Sequence, residues 1–487
     1  MTRPNEFETR RQGVRAAHAR NGSAMIVVII GVTVLAIIIG STLFSVSTNY
    51  RTTVHAANWQ ESLLTAETGA DYAMATLRKT ISDPASSWAG WQTLDGNGVA
   101  LANSGHAFTL PSLQQNGGAG GSGALIQVDA PPSLRDAKDQ QWFRIRSSGS
   151  AALTGSTAIG SDKRDGILRK LTLRINRKTG AAVATPEASR LVEVVARPSS
   201  FENAIVAEGQ ISMNNYQVVV DSYDSSDPTK SSGGVYDEDK AQENGDVATN
   251  GQIVNAGGAF IHGDVLTNAG TVTGAGNVTG EQRTDFYQDL LPVPKPTWSA
   301  TSSYPAYIES NMTLTGGTKA NPTRYKLGWI TLTGGRTLKI APSAPGVESY
   351  VELWVTGNID MSGSGELLIA ANANVKIFVE GNISIIGNGM LNETQLPASL
   401  LLLGIAPDDG VTRTFTLSGN GSFTGAVYAP SHAVALSGGG SNGSYVGAIA
   451  AKTVTMSGNS VVHYDESLVT GDFITDYKIA SWFEDTR

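Results

Sequence analysis

Between Arg20 and Arg51 the chain carries no charged residue, and the centre of that stretch, Ala24 to Phe44, reads AMIVVIIGVTVLAIIIGSTLF. At about 1.5 Å per helical residue this centre extends roughly 30 Å, the thickness of a bilayer's hydrocarbon core. One membrane helix is therefore expected. Arg3, Arg10, Arg11, Arg15 and Arg20 precede it against only Glu6 and Glu8, so this end stays cytoplasmic and the long remainder of the chain is exported. A cleavable secretory signal is the alternative, although its apolar region runs about 7 to 15 residues and ends at a small-residue cut site.

Beyond the span, Trp59, Leu63, Ala66, Ala70, Ala73 and Leu77 recur at spacings of three and four, which places them on one helical face. Gln60, Glu61, Glu67, Asp71, Arg78 and Lys79 fall on the other faces. Ser82-Asp83-Pro84 ends the pattern, because proline disfavours helical geometry in the residue before it and has no N–H to donate. The spacing predicts one rod, half in the membrane and half outside.

Arg20-Asn21-Gly22-Ser23-Ala24-Met25-Ile26-Val27-Val28, the span, and Leu64-Thr65-Ala66-Glu67-Thr68-Gly69-Ala70 continuing to Leu77 together resemble the N-terminus of type IV pilin-like proteins, specifically PilX-type minor pilins. The resemblance implies a prepilin peptidase cut after Gly22 that leaves Ser23 as the mature terminus. It also implies the inner membrane and other pilin-like subunits as partners of the helix. Val27 stands where major pilins present a glutamate, and Ser23 where they carry a bulky residue. A minor, initiating or tip position fits Val27 better than a bulk position does.

Charged residues make up 16% of the chain and the net charge is −8, the leader being net positive and the exported remainder more acidic still. Sequence-independent nucleic-acid binding needs clustered Lys and Arg, so nucleic acid is not an expected partner. There are no cysteines, which excludes a disulfide framework, thiolate catalysis and cysteine-ligated zinc. The expected organisation is a basic leader over 1–22, the membrane and extended helix over 23–82, a β-rich region over 83–200, a repeated domain over 201–470 and a C-terminal tail over 471–487.

Within 83–200, alternation marks strands at Ala124–Val128, Trp142–Arg146, Ile167–Ile175 and Leu191–Ala196, with a Gly-rich loop over 116–123. Pilin-like proteins follow their helix with an antiparallel sheet, and this region fits that order. From about 203 short apolar runs end repeatedly in Gly-Asn or Ser-Gly. Val355-Thr356-Gly357-Asn358-Ile359 matches Val379-Glu380-Gly381-Asn382-Ile383, and Phe415 to Asn420 matches Val454 to Asn459. Ile261 to Val265 and Gly276 to Gly280 are weaker copies. Such repetition is the sign of a solenoid whose coils bury their apolar sides against one another. The fold class is α+β: a long helix, a small β-rich region and a C-terminal parallel β-helix, expected right-handed. A β-sandwich is the alternative if the Gly-Asn pairs close hairpins. This half also resembles uncharacterised bacterial domains attached to PilX-type anchors, through Val218 to Ser225, Gly245 to Gly251, Gly425 to Pro430 and Val462 to Glu466.

No cluster reads as a catalytic centre. Asp408-Asp409 lies in a turn sequence, and adjacent residues of an extended chain point opposite ways. His18, His55, His106, His262, His432 and His463 lack metal-motif spacing. His463-Tyr464-Asp465-Glu466 reads as a polar cap on the last coil. The acidic residues from Asp221 to Asp246 do not match an EF-hand and read as a solvated loop rather than a calcium site. Threonines such as Thr313, Thr315, Thr331 and Thr333 do not recur in register across every coil, as a flat water-ordering array would require. The expected protein is a non-catalytic pilus or pseudopilus component with no cofactor or metal. Its solenoid is displayed toward surface polysaccharide or a host surface. A tethered carbohydrate-active enzyme and a stand-alone anchored binding module are the alternatives.

Overall fold

The computed structural model describes residues 8–83, 87–88, 91–93, 106–109, 123–131, 133–135, 140–152, 187–213, 218–274, 277–301, 305–386, 389–407, 409–419, 422–438 and 444–485. For 8–24 and a few strand ends it describes the backbone alone. Residues 1–7 of the leader, the expected strand at Ile167–Ile175, the loop over 116–122 and Asp408 lie outside the described residues.

One helix of 75 residues runs from Glu8 to Ser82. From Met25 to Tyr50 its large apolar side chains are all exposed, and its apolar window has a mean hydropathy of 2.8. That half has the length and composition of a membrane anchor or a signal sequence. The second half is different. Ala66, Ala70, Ala73 and Leu77 are fully buried, and they pack with Ile126, Ile145, Val192 and Val194. The alanines, with Gly149 opposite them, let the helix backbone lie close to the sheet beneath it.

That sheet has six strands in the order Gln92–Thr93, His106–Thr109, Gly123–Asp129, Phe143–Ala152, Glu187–Ser199 and Asp476–Asp485. Every neighbouring pair is antiparallel. The sixth strand corrects the expected C-terminal tail, since Asp476 pairs with Ser199 and Asp485 with Leu191. Its partner lies far upstream, so no local hairpin signal announces it.

The strands described between these two form a 25-stranded sheet. Its strands pair in parallel, mostly with the strand three positions along the chain, a pattern consistent with a β-helix or solenoid. Three ladders result. One runs through Thr323–Leu327, Ser349–Val355, Ala373–Val379 and Leu400–Gly404. A second runs through Ile330–Thr333, Ile359–Ser362, Ile383–Ile386 and Arg413–Gly419. The third runs through Met312–Thr315, Thr337–Ala341, Glu366–Ile369 and Gly389–Asn392. Inward residues therefore stack type on type: Leu353 on Ile377 on Leu402, and Ile330 on Ile359 on Ile383. All six are essentially buried, and each such side chain contributes about 1.5–3 kcal/mol relative to exposure.

The rungs are not stacked in chain order. Ile205–Ala207, Ile211–Met213 and Val219–Tyr223 pair with the last strands, at Ile449–Ala451, Val454–Met456 and Val461–Asp465. The first and last rungs therefore meet inside the stack. From the first rung the chain builds one end as far as Gln282–Arg283. It then crosses to the other end over Leu290-Leu291-Pro292-Val293-Pro294-Lys295-Pro296. Alternating prolines favour an extended polyproline conformation suited to such a strap. Leu291 O accepts from Tyr428 Oη at 2.8 Å, Val293 bridges Ile405, and Lys295 pairs with Glu380 at 2.7 Å. Trp298 meets Trp354 edge-on at 5.8 Å.

Candidate functional site

A dense polar network lies at the seam where the first and last rungs meet. Strand pairing sets His463 against Asp221. His463 Nδ1 lies 2.6 Å from Asp221 Oδ1, and Tyr236 Oη donates to Asp221 Oδ2 at 2.8 Å. The Tyr236 ring stacks on the imidazole with centroids 3.6 Å apart. Burial, reinforced by the Asp221 carboxylate, pushes the Tyr236 phenol up, so it remains a donor. Glu466 joins the same seam, accepting from Ser222 Oγ at 2.9 Å, Asn244 Nδ2 at 2.8 Å and Lys230 Nζ at 3.2 Å. Asp465 Oδ1 accepts from the backbone of Ser225 and Ser467, while its buried Oδ2 has no hydrogen-bond partner. Burial raises its pKa.

The group expected at His463–Glu466 as a cap on the last coil is thus a closure between two rungs. Parallel pairing places it within the stack, and its partners are the expected acidic loop. Sequence reasoning named both segments but could not pair them, because they are separated by more than two hundred residues. The only local signal was the shared density of polar side chains.

A depression of about 510 Å³ beside the seam is bordered by His463, Tyr236, His262, Glu238 and Glu243. Asp221 has both oxygens engaged, so it orients the imidazole rather than serving as a free base. Among the described residues, no three His, Asp or Glu side chains are grouped to hold a metal. Other acids from the same stretch brace local turns. Asp224 accepts from Ser226, Asp227 from Thr229, and Asp237 from Ser232 and the Asp239 backbone. These hydrogen bonds hold Asp227 and Asp237 below the usual carboxylate range. Asp246 and Asp264 link successive rungs, each accepting a backbone N–H at 2.7 Å.

Asp409 accepts from Val411 N at 3.0 Å and Arg413 at 2.8 Å, contacts that lower its pKa in that order. His432 is fully buried, with Nε2 at 3.2 Å from Gly381 O and Nδ1 at 3.0 Å from Ser431 Oγ. Burial pulls its pKa down to about 4, so the ring is neutral and braces the fold. On the outer face, Glu352 pairs with Arg324 at 2.8 Å, and Glu380 with Lys295 at 2.7 Å. Thr313 and Thr315 pair across the ladder with Lys339 and Ala341, and Thr331 and Thr333 with Asp360 and Ser362. These threonines therefore do not stack on one another.

A second polar group fastens the stack to the six-stranded sheet. Arg78 Nε lies 2.8 Å from Asp476 Oδ1, tying the helix to the sixth strand. Arg197 at 2.9 Å and Lys478 converge on Glu202. Burial works to raise the Glu202 pKa, but Lys478, Ser199 and Arg197 outweigh it and hold the carboxyl low. Gln140 Nε2 donates to Gly471 O at 2.6 Å. Gly22 and Ser23 lie along the long helix.

A family described as a domain of unknown function (DUF7305) matches residues 331–470. This segment covers much of the parallel stack and ends beside the closure seam. No curated protein matches the chain.

Proposed function

We propose that this protein is a non-catalytic, PilX-type minor component of a type IV pilus or pseudopilus. Its N-terminal helix is held in the inner membrane with a cytoplasmic leader, and it packs among other pilin-like subunits. Its parallel-stranded domain is a β-helix exported for adhesion or surface binding. The observation that carries this reading is the two-part helix. Its first half exposes apolar side chains, whereas its second half buries Ala66, Ala70, Ala73 and Leu77 on an antiparallel sheet. The paired carboxylates of the outer face favour binding over glycoside hydrolysis, which uses two carboxyl groups flanking a scissile bond.

N-terminal sequencing of membrane and sheared-filament fractions from the native host tests the proposal. A terminus at Ser23 in sheared material is expected. An intact leader confined to membranes would refute filament entry and leave an anchored binding protein.

A further inference from the structure

One edge of the stack carries a column of residues contributed by successive turns. Gly328 N donates to Ala306 O at 2.6 Å and Ile308 N to Trp329 O at 3.1 Å, which sets Tyr307 over Trp329. Ile330 N then donates to Asn358 O at 3.0 Å, and Ile359 N to Asn382 O at 2.9 Å. The column continues through side chains. Asn358 Oδ1 accepts from Asn382 N at 2.9 Å, and Asn382 Oδ1 from Thr414 N at 2.9 Å.

Both parts of this column are ordered yet open to solvent. The Tyr307 and Trp329 rings stack at 4.6 Å with only 4° between their planes, yet they remain 44% and 42% exposed. Trp329 Nε1 donates to Glu309 Oε1 at 2.9 Å, which fixes the ring further. Asn358 and Asn382 are exposed. Their oxygens serve the next rung, and neither Nδ2 has a hydrogen bond to protein among the described residues. Scattered exposed aromatics need no explanation. A pinned aromatic pair continuing into a row of amide donors is a different arrangement.

We propose that this edge binds an uncharged glycan lying along the stack axis. An apolar sugar face packs against the aromatic pair, and hydroxyl or ring oxygens accept hydrogen bonds from Asn358 and Asn382. Successive rungs repeat at about 4.8 Å, offering one donor per rung to an extended chain. A depression of about 370 Å³ flanks the two asparagines, bordered by Thr356, Glu380, Asp409 and Arg413. The charges there are already matched, Arg413 with Asp409 at 2.8 Å and Glu380 with Lys295 at 2.7 Å. An anionic glycan would therefore meet no uncommitted cation. Fixed aromatic rings also lose little conformational entropy on binding, which favours them as anchors. This inference rests on the reading of the stack as a displayed binding surface and is independent of filament entry.

The test uses the purified full-length chain in lipid nanodiscs, which avoids sugar-based detergents, on an array of neutral and anionic glycans. Capture of neutral glycans is expected. For the best-bound neutral oligosaccharide, Trp329→Ala or Tyr307→Ala should weaken binding at least about tenfold. Asn358→Asp keeps the oxygen that supports the next rung and removes the donor, so it should weaken binding about fivefold or more. Tyr287→Ala, at a 70% exposed ring outside the column, should leave binding unchanged. If Trp329→Ala fails to fold, the Asn358→Asp result decides. Failure to capture any glycan, capture of anionic glycans alone, or binding insensitive to these column variants would overturn the proposal. Because the assay needs no pilus, its failure is distinguishable from a failure of the filament reading.

Discussion

Gly447→Ala should damage the stack at the rung next to the closure seam. Gly447 has φ +138°, and a Cβ added there would lie 1.9 Å from the backbone oxygen of Gly425, its register partner. Ordinary contact begins near 3.4 Å, so the two strands must separate locally by about 1.5 Å, which weakens roughly two ladder hydrogen bonds worth about 1 kcal/mol each. Holding a non-glycine residue at this φ adds about 1–3 kcal/mol. The combined cost is about 3–5 kcal/mol. Gly346→Ala is the control, because Gly346 has φ +74° but nothing within 4 Å of an added Cβ. It should cost only the backbone term, about 1–2 kcal/mol. Urea unfolding gives the totals. Hydrogen exchange locates the damage at 426–428 and 448–451, and a Gly447→Ala protein within about 1 kcal/mol of wild type would refute the packing argument.

Other tests address separate parts of the molecule. The pKa of His432 is depressed to about 4, below its ordinary unfolded value. Its contribution is present above about pH 6.5 and is lost as pH falls toward the folded pKa, up to roughly 3 kcal/mol, and His432→Gln should flatten that part of a stability-versus-pH curve. Arg78→Ala leaves the Asp476 carboxylate, only 4% exposed, without its guanidinium. It should cost about 1–3 kcal/mol in chemical denaturation, with a smaller loss when Asp476→Asn is combined with it. Stopping the chain at Gly471 removes the Asp476–Asp485 strand, and amides of Glu187–Ser199 that face it should lose hydrogen-exchange protection.

Local patterns are legible where the structure is local. The spacing of Ala66, Ala70, Ala73 and Leu77 marks the face that is buried, because a helix repeats its faces every few residues. The Gly-Asn copies at 357–358 and 381–382 do sit on neighbouring rungs, with Ile359 opposite Ile383. Stacked coils repeat the same turn chemistry, so the likeness is visible. The pairings of Asp221 with His463 and of Ser199 with Asp476 are not legible. Each is fixed by where a ladder closes on itself, information no short window contains. For the same reason the C-terminal strand reads as a tail from sequence alone. Tyr307 and Trp329 escape a sequence reading because neither belongs to a repeated motif, and their stacking depends on a partial rung laid across the end of the stack.

The stack interrupts the six-stranded sheet between two neighbouring strands, Glu187–Ser199 and Asp476–Asp485. It is consequently held by two covalent tethers that leave the sheet side by side at Ser199 and Asp476. A single proteolytic cut in either connection leaves the other intact. Tension along these strands is shared between them, and ten register pairs also join Glu187–Ala196 to Phe143–Ala152. Ladder hydrogen bonds lie across the strands, so such a pull shears many of them together instead of opening them one by one. A domain mounted this way is harder to pull away from the helix and its sheet than one hung from a chain terminus.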